Sequence, residues 1–169
     1  MLDSATLQTR IAEMASEIDG VYKDAGEPVV LLSVLKGAVF FATDLSRKLT
    51  SDVVFEFIAV RSYGASTTSS GQVELVKDVS MALRDRDVLM VEDIIDTGHT
   101  TAFLHEHLAR HQPRSLRLAA LLNKPGRRER EVHIDFAGFD IPDEFVVGYG
   151  LDLGERYRNL PEVRRISQD

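Results

Sequence analysis

The stretch Asp87-Val-Leu-Met-Val-Glu92-Asp93-Ile-Ile-Asp96-Thr97-Gly98-His99-Thr100-Thr101 decides how this chain folds. Asp87 to Val91 reads as a buried strand, with Glu92 and Asp93 together at its end. A short Asp-Thr-Gly loop follows, and a helical pattern then begins, carried by Thr101, Phe103, Leu104 and Leu108. A strand–loop–helix unit leaves N–H groups unpaired at the start of the helix. With the positive end of the helix dipole they make a site for an anion such as phosphate. Three carboxylates at 92, 93 and 96 would repel that anion unless magnesium or sugar hydroxyls stand between them. The pattern therefore suggests a phosphorylated, hydroxylated ligand. By spacing alone, the same acids also fit an ordinary solvated strand-to-helix loop.

Outward from this stretch, strand and helix patterns alternate. Asp3 or Ser4 caps a first helix whose apolar face is Leu7, Ile11, Met14, Ile18 and Val21, and Gly26 and Pro28 punctuate its end. Pro28 to Leu35 is a nearly continuous apolar run, as expected of a strand covered on both faces of a parallel sheet. Lys36-Gly37 breaks it. Ala38 to Leu49 reads as a helix with Val39, Phe40, Leu45 and Leu49 inward, and Val53 to Val60 as a strand. Residues 61–72 are small and polar and read as a mobile loop. Val73 to Val79 returns as a strand, and the helix after Thr101 ends near His111. Leu116 to Leu122 and Phe145 to Leu151 complete the strands. The expected fold is α/β, an open and mainly parallel twisted sheet flanked by helices, with ligands at the carboxyl ends of the strands.

At 169 residues the default is one domain over 1–169. The net charge of −7 argues against non-specific nucleic-acid binding, and the lack of cysteine excludes disulfides, zinc thiolates and a thiol nucleophile. No run approaches a membrane span and no leader pattern opens the chain, so a cytoplasmic location with no membrane partner is expected. There is no Walker loop and no dinucleotide fingerprint. His107 and His111 share a helix face, but no third ligand stands near them in sequence. A solvated helix face therefore accounts for them better than zinc.

Val91 to Thr100 resembles the phosphoribosyl-pyrophosphate (PRPP) signature of the type I phosphoribosyltransferases: two acids, an apolar pair, then Asp-Thr-Gly-x-Thr. Leu35-Lys36-Gly37, Ser62-Tyr63-Gly64, Leu122-Asn-Lys124-Pro125, the segment from Phe145 to Asp152 and Glu155-Arg-Tyr-Arg158 are similar to its hypoxanthine(-guanine) branch. The resemblance implies the type I fold, with a small hood from the terminal segments and a homodimer or homotetramer. It implies a transfer of the phosphoribosyl group of PRPP to a 6-oxopurine, with Mg2+ as cofactor. Asp96 would be the general base. Lys36, Gly37, Glu92, Asp93, Asp96, Thr97, Gly98, His99, Thr100 and Arg158 would hold PRPP. Ile94, Lys124, Phe145, Val146 and Asp152 would surround the purine. Metal ligands would be Glu92, Asp93 and Asp152, and Ser62 and Tyr63 would belong to a lid. Relatives carry Lys, Arg or Leu where His99 stands, and Arg128 matches a pyrophosphate contact only loosely. The resemblance further implies a cis or strained Leu35–Lys36 peptide. The alternative function is a PRPP- or nucleotide-sensing regulator of the same fold that binds nucleic acid.

Overall fold

The computed structural model describes residues 1–62 and 73–166. Helix α1, Ser4–Tyr22, begins where the Asp3 carboxylate accepts the Thr6 N–H at 2.7 Å. It buries Leu7, Ile11, Met14, Ile18 and Tyr22. The stripe continues by four residues from Ile18, so Tyr22 takes the inward place expected of Val21, which is exposed. Helix α2, Val39–Ser46, turns Phe41, Ala42 and Leu45 inward. Phe40 was expected inside but leans outward against Tyr149 with ring centroids 6.3 Å apart.

Strands β1 (Val29–Leu35), β2 (Val53–Ser62), β3 (Val73–Lys77), β4 (Asp87–Ile95), β5 (Ser115–Asn123) and β6 (Phe136–Asp140) form one sheet in the order β3-β2-β1-β4-β5-β6. Only β3 runs antiparallel, against β2. Alternation along β1 explains its unbroken apolar character. Val29 and Leu31 face the layer of α1 and α2, while Val30, Leu32 and Val34 join the cluster that holds Leu104 and Leu108 of helix α3, His99–Ala109. β4 repeats the pattern, with Leu89 and Val91 on one side and Val88 and Met90 on the other.

Two sequence expectations are corrected. β6, which pairs with β5, had no counterpart among the expected strands. Its Gly138 lies so close to β5 that a Cβ there would stand 2.3 Å from the Leu121 carbonyl oxygen. Phe145 to Leu151 is not a strand of the main sheet. Val146–Val147 (β7) pairs instead with Arg164–Arg165 (β8), and Leu2 bridges to Val163. This ribbon of chain-terminal segments is the expected hood. After β7 the chain turns sharply through Gly148, Tyr149 and Gly150, all with positive φ. The hood is latched to the body by Tyr149, whose hydroxyl donates to Asp44 at 2.6 Å, where Gln8 of α1 also donates.

A buried Glu56 fixes the connection from β3 to β4. Burial disfavours its charge, but N–H groups of Phe57, Ser80 and Met81 and the Ser80 hydroxyl hold its carboxyl down at about 2. His107 and His111 were read as a solvated face without a third ligand. In the fold Asp78 lies beside them. Among the described residues no helix is long and apolar enough to cross a membrane.

Candidate active site

The strand order reverses direction between β1 and β4, and the crevice outside their carboxyl ends is where open α/β sheets bind ligands. The loop after β1 supplies Lys36 and Gly37, joined to Leu35 by a cis peptide as the resemblance implied. The loop after β4 supplies 96–98 and leads into α3. Gly98 sits at φ 89° as the N-cap, and a Cβ there would stand 2.4 Å from the Arg130 carbonyl oxygen. With no side chain capping this end, the first N–H groups of α3 face the crevice beside Thr97 and Thr100.

Of the paired acids, Glu92 is buried with its carboxylate near the Thr101 hydroxyl at 3.4 Å. Desolvation, reinforced by the charge of Asp93, pushes its carboxyl well above the usual range. Asp93 is pushed up to about 6, chiefly by desolvation. The Ile94 N–H and the Arg158 charge oppose this shift, and Asp152 adds to it. The Asp93 carboxylate lies over Gly37 so closely that a Cβ on Gly37 would be 1.7 Å from its Oδ2. Gly37 is gripped from the other side by the hood, because a Cβ on Gly150 would be 1.9 Å from the Gly37 carbonyl oxygen. Arg158 ties this corner together, donating to the Gly150 carbonyl at 2.7 Å and pairing with Asp152 at 2.8 Å. Lys36 points outward to Glu155 at 3.0 Å.

A second hollow opens on the far side of Asp96, walled by Lys124, Arg127, Asp143 and Phe145. Lys124, at the end of β5, is only 7% exposed, and the carboxylate it faces, Asp143, is 4.0 Å away. Phe145 presents a partly exposed ring. Asp96 lines both hollows, and its Oδ1 stands 3.0 Å from Arg127 Nε.

Most residues singled out in the sequence therefore surround two joined hollows, although their distribution differs from expectation. Ile94 lines the hollow of the acids, and Val146, in β7 of the hood, is buried. The His99 ring is turned to Glu129 at 2.9 Å. Arg128 donates to the Asp96 carbonyl and to the Asn123 side chain, bracing the 96–98 loop from below. Ser62 ends β2, while the rest of the lid expectation, Tyr63 included, lies outside the described residues. Arg127, Asp143, Gly150 and Glu155 were missed. The run of arginines after Pro125 was a visible signal for Arg127, and Gly150 and Glu155 stand inside segments that carry the family resemblance, but nothing in those segments marked either one or Asp143 as a wall of the site.

A model of the phosphoribosyl transferase domain matches residues 2–153, and the chain belongs to that family. A hypoxanthine-guanine phosphoribosyltransferase of Mycobacterium avium is 50% identical over 167 residues, 96% of this chain and 82% of its own length. The hypoxanthine phosphoribosyltransferase of Salmonella typhimurium is 43% identical over 166 residues, 98% of this chain and 93% of its own. The crystal structure of a hypoxanthine-guanine phosphoribosyltransferase from Bacillus anthracis superimposes with a TM-score of 0.92 at 41% identity, covering 99% of this chain and 97% of that one. Within the family the chain is an enzyme of the hypoxanthine(-guanine) phosphoribosyltransferase branch.

Proposed function

We propose that this chain, acting over 1–169 as one catalytic domain, serves purine salvage by transferring the 5-phosphoribosyl group of PRPP to hypoxanthine, and to guanine, with release of pyrophosphate. The observation that carries the reading is the pair of hollows meeting at Asp96. One has an anion-binding loop and acids, and the other a buried cation and an aromatic face. The 5-phosphate rests on the N–H groups and hydroxyls of 97–100. Lys124 is a desolvated ammonium that wants an oxygen partner, so it takes the purine 6-oxo group and rejects a 6-amino group. Phe145 stacks on the ring, and the Val146 backbone meets its far edge.

Asp96 is paired with Arg127. An entering base displaces that contact, leaving the carboxylate free to accept the purine N7 proton as general base. The oxygen-only donors Asp93, Glu92 and Asp152 would suit a hard cation such as Mg2+, and burial, which raises the carboxyls of 92 and 93, disfavours their charged forms until a cation offsets it. When bound there, Mg2+ supplies charge neutralisation for the departing pyrophosphate. The remaining acid oxygens orient the ribose hydroxyls, and Arg158 with the Lys36–Gly37 backbone holds pyrophosphate. The sensing alternative leaves Lys124, buried at the end of β5, with nothing to recognise. Assembly into a homodimer or homotetramer, as the family resemblance implies, is measured by analytical ultracentrifugation.

The deciding measurement is pyrophosphate release with PRPP, Mg2+ and a panel of hypoxanthine, guanine, xanthine and adenine. Turnover with hypoxanthine and none with adenine is expected, and no turnover with any 6-oxopurine would overturn the reading. In the same assay Lys124→Ala raises KM for hypoxanthine at least about tenfold, the cost of a lost charge-assisted hydrogen bond, with PRPP binding little changed.

A further inference from the structure

At the opposite edge of the sheet, far along α3 from the anion-binding loop, two elements bring three ligand-type side chains together. α3 presents His107 in its last turn, and His111 follows in the turn just after the helix. The segment leaving β3 presents Asp78. One ligand atom from each of the three lies within 4.8 Å of the others. His107 Nε2 is 2.9 Å from Asp78 Oδ1, and the His107 and His111 rings meet edge to face with centroids 5.3 Å apart. We propose that Asp78, His107 and His111 form a binding site for a divalent transition-metal ion, zinc in the first instance, that staples the exit of β3 to the end of α3.

The donor set is right for this ion. Two borderline imidazoles and one hard carboxylate make a mixed set that zinc and its neighbours accept, while magnesium prefers oxygen alone. His107 in the last turn of α3 and His111 in the turn that follows bring their imidazoles side by side, so that both can reach one ion. Three protein ligands leave a position for water, so the site takes an ion without being closed around it. Ligand atoms around a tetrahedral zinc stand about 3.3 Å apart at bond lengths of about 2.0–2.2 Å. The Asp78–His107 separation is already within a few tenths of an ångström of that, and rotation of the partly exposed His111 ring closes the remainder.

The surroundings brace the ligands. The Val79 N–H donates to Asp78 Oδ1 at 2.8 Å, fixing the carboxylate. The Phe103 ring lies nearly parallel to that of His107, 10° apart, and fixes its plane. The buried Glu56 clamps Ser80 and Met81 just beyond Asp78, so the backbone bearing the carboxylate is not free to drift. Lys77 turns its ammonium to backbone carbonyls and to Glu56 and does not reach the Asp78 carboxylate. The Asp78–His107 hydrogen bond alone is the competing account. It gives His111 no role beyond an aromatic edge contact.

Calorimetric titration of the full chain with zinc chloride tests this, with magnesium in millimolar excess to occupy the acids of the crevice. One zinc per chain is expected, with affinity at least about tenfold weaker in His111→Ala and in Asp78→Asn, since losing a ligand costs no less than losing the group that orients one. His133→Ala, a surface control, leaves it unchanged. Zinc at a hundred times its dissociation constant raises the Tm of the wild-type chain by about 5–10 °C. Cobalt(II), which reports histidine ligation by its visible absorption without any variant, gives a spectrum that His111→Ala abolishes. No binding to the wild-type chain would overturn the proposal. So would equal affinity in all variants, or loss in His133→Ala.

Discussion

Asp96 lies where the two hollows meet, and its role is tested most directly by substitution. Asp96→Asn keeps the shape of the side chain and removes its ability to take a proton. Turnover should fall by about 10²–10⁴ while PRPP affinity is retained, measured by single-turnover kinetics and equilibrium binding. A fall of less than tenfold with chemistry rate-limiting would assign the proton to another group. Asp93 makes a different prediction, about stability. Its carboxyl is raised to about 6 in the folded chain, against an ordinary value of 3.8. The folded state therefore binds the proton more tightly, and stability falls as pH rises from about 4 through 6. Without ligands, Asp93→Asn should stabilise the chain by about 1–3 kcal/mol at pH 8 and by little at pH 4, read from urea melts at both pH values. An equal gain at both would show that the effect is not one of ionisation. Such a cost is the usual mark of a crevice built to receive cations and hydroxyls.

Among the elements, the turn after β7 and the loop after β1 are joined through glycines. Gly150 has φ 104°, and its missing Cβ would collide with backbone at Gly37, which has no flexible end to move aside. Gly150→Ala should therefore force the hood off the Lys36–Gly37 loop. The expected result is a destabilisation of about 1–3 kcal/mol with a near-native circular dichroism spectrum and a PRPP affinity at least tenfold lower. Unchanged PRPP binding would mean that the close approach does not shape the pyrophosphate end. At Gly154 a Cβ would meet no atom within 4 Å, so Gly154→Ala strains only its own backbone at φ 59° and serves as the control.

For the molecule as a whole, the hood is made from segments remote in sequence, Leu2, Val146–Val147 and Val163–Arg165, and its Val146, Tyr149 and Val163 pack into the core shared with α1 and α2. Burial and the neighbouring Asp44 carboxylate raise the Tyr149 phenol above the ordinary value, so it remains a neutral donor. Tyr149→Phe removes one hydrogen bond to a charged group and should cost about 1.5–3 kcal/mol, a Tm lowered by about 3–10 °C for a chain of this size. Because the same turn carries Gly150 against Gly37, KM for PRPP should rise in the variant. A lowered Tm with kinetics unchanged would make Tyr149 a purely structural latch.

What could be read from the sequence is what is local. β1, β4 and β5 were legible because central parallel strands are covered on both faces and so carry long apolar runs. The anion loop was legible because Asp96 to Thr100 is one continuous segment whose function depends on its own backbone. The tertiary structure alone decided the rest. β6 and the β7–β8 ribbon owe their pairing to distant partners, and two residues such as Val146–Val147 carry no periodicity of their own. In α2 the neighbouring Phe40 and Phe41 look alike, and only the phase of the helix against β1 chose which was buried. Arg127 reaches Asp96, Gly150 reaches Gly37, and Asp78 reaches His107 across 29 residues of chain. Each of these contacts joins segments that only the tertiary fold brings together, and no spacing along the chain encodes that distance.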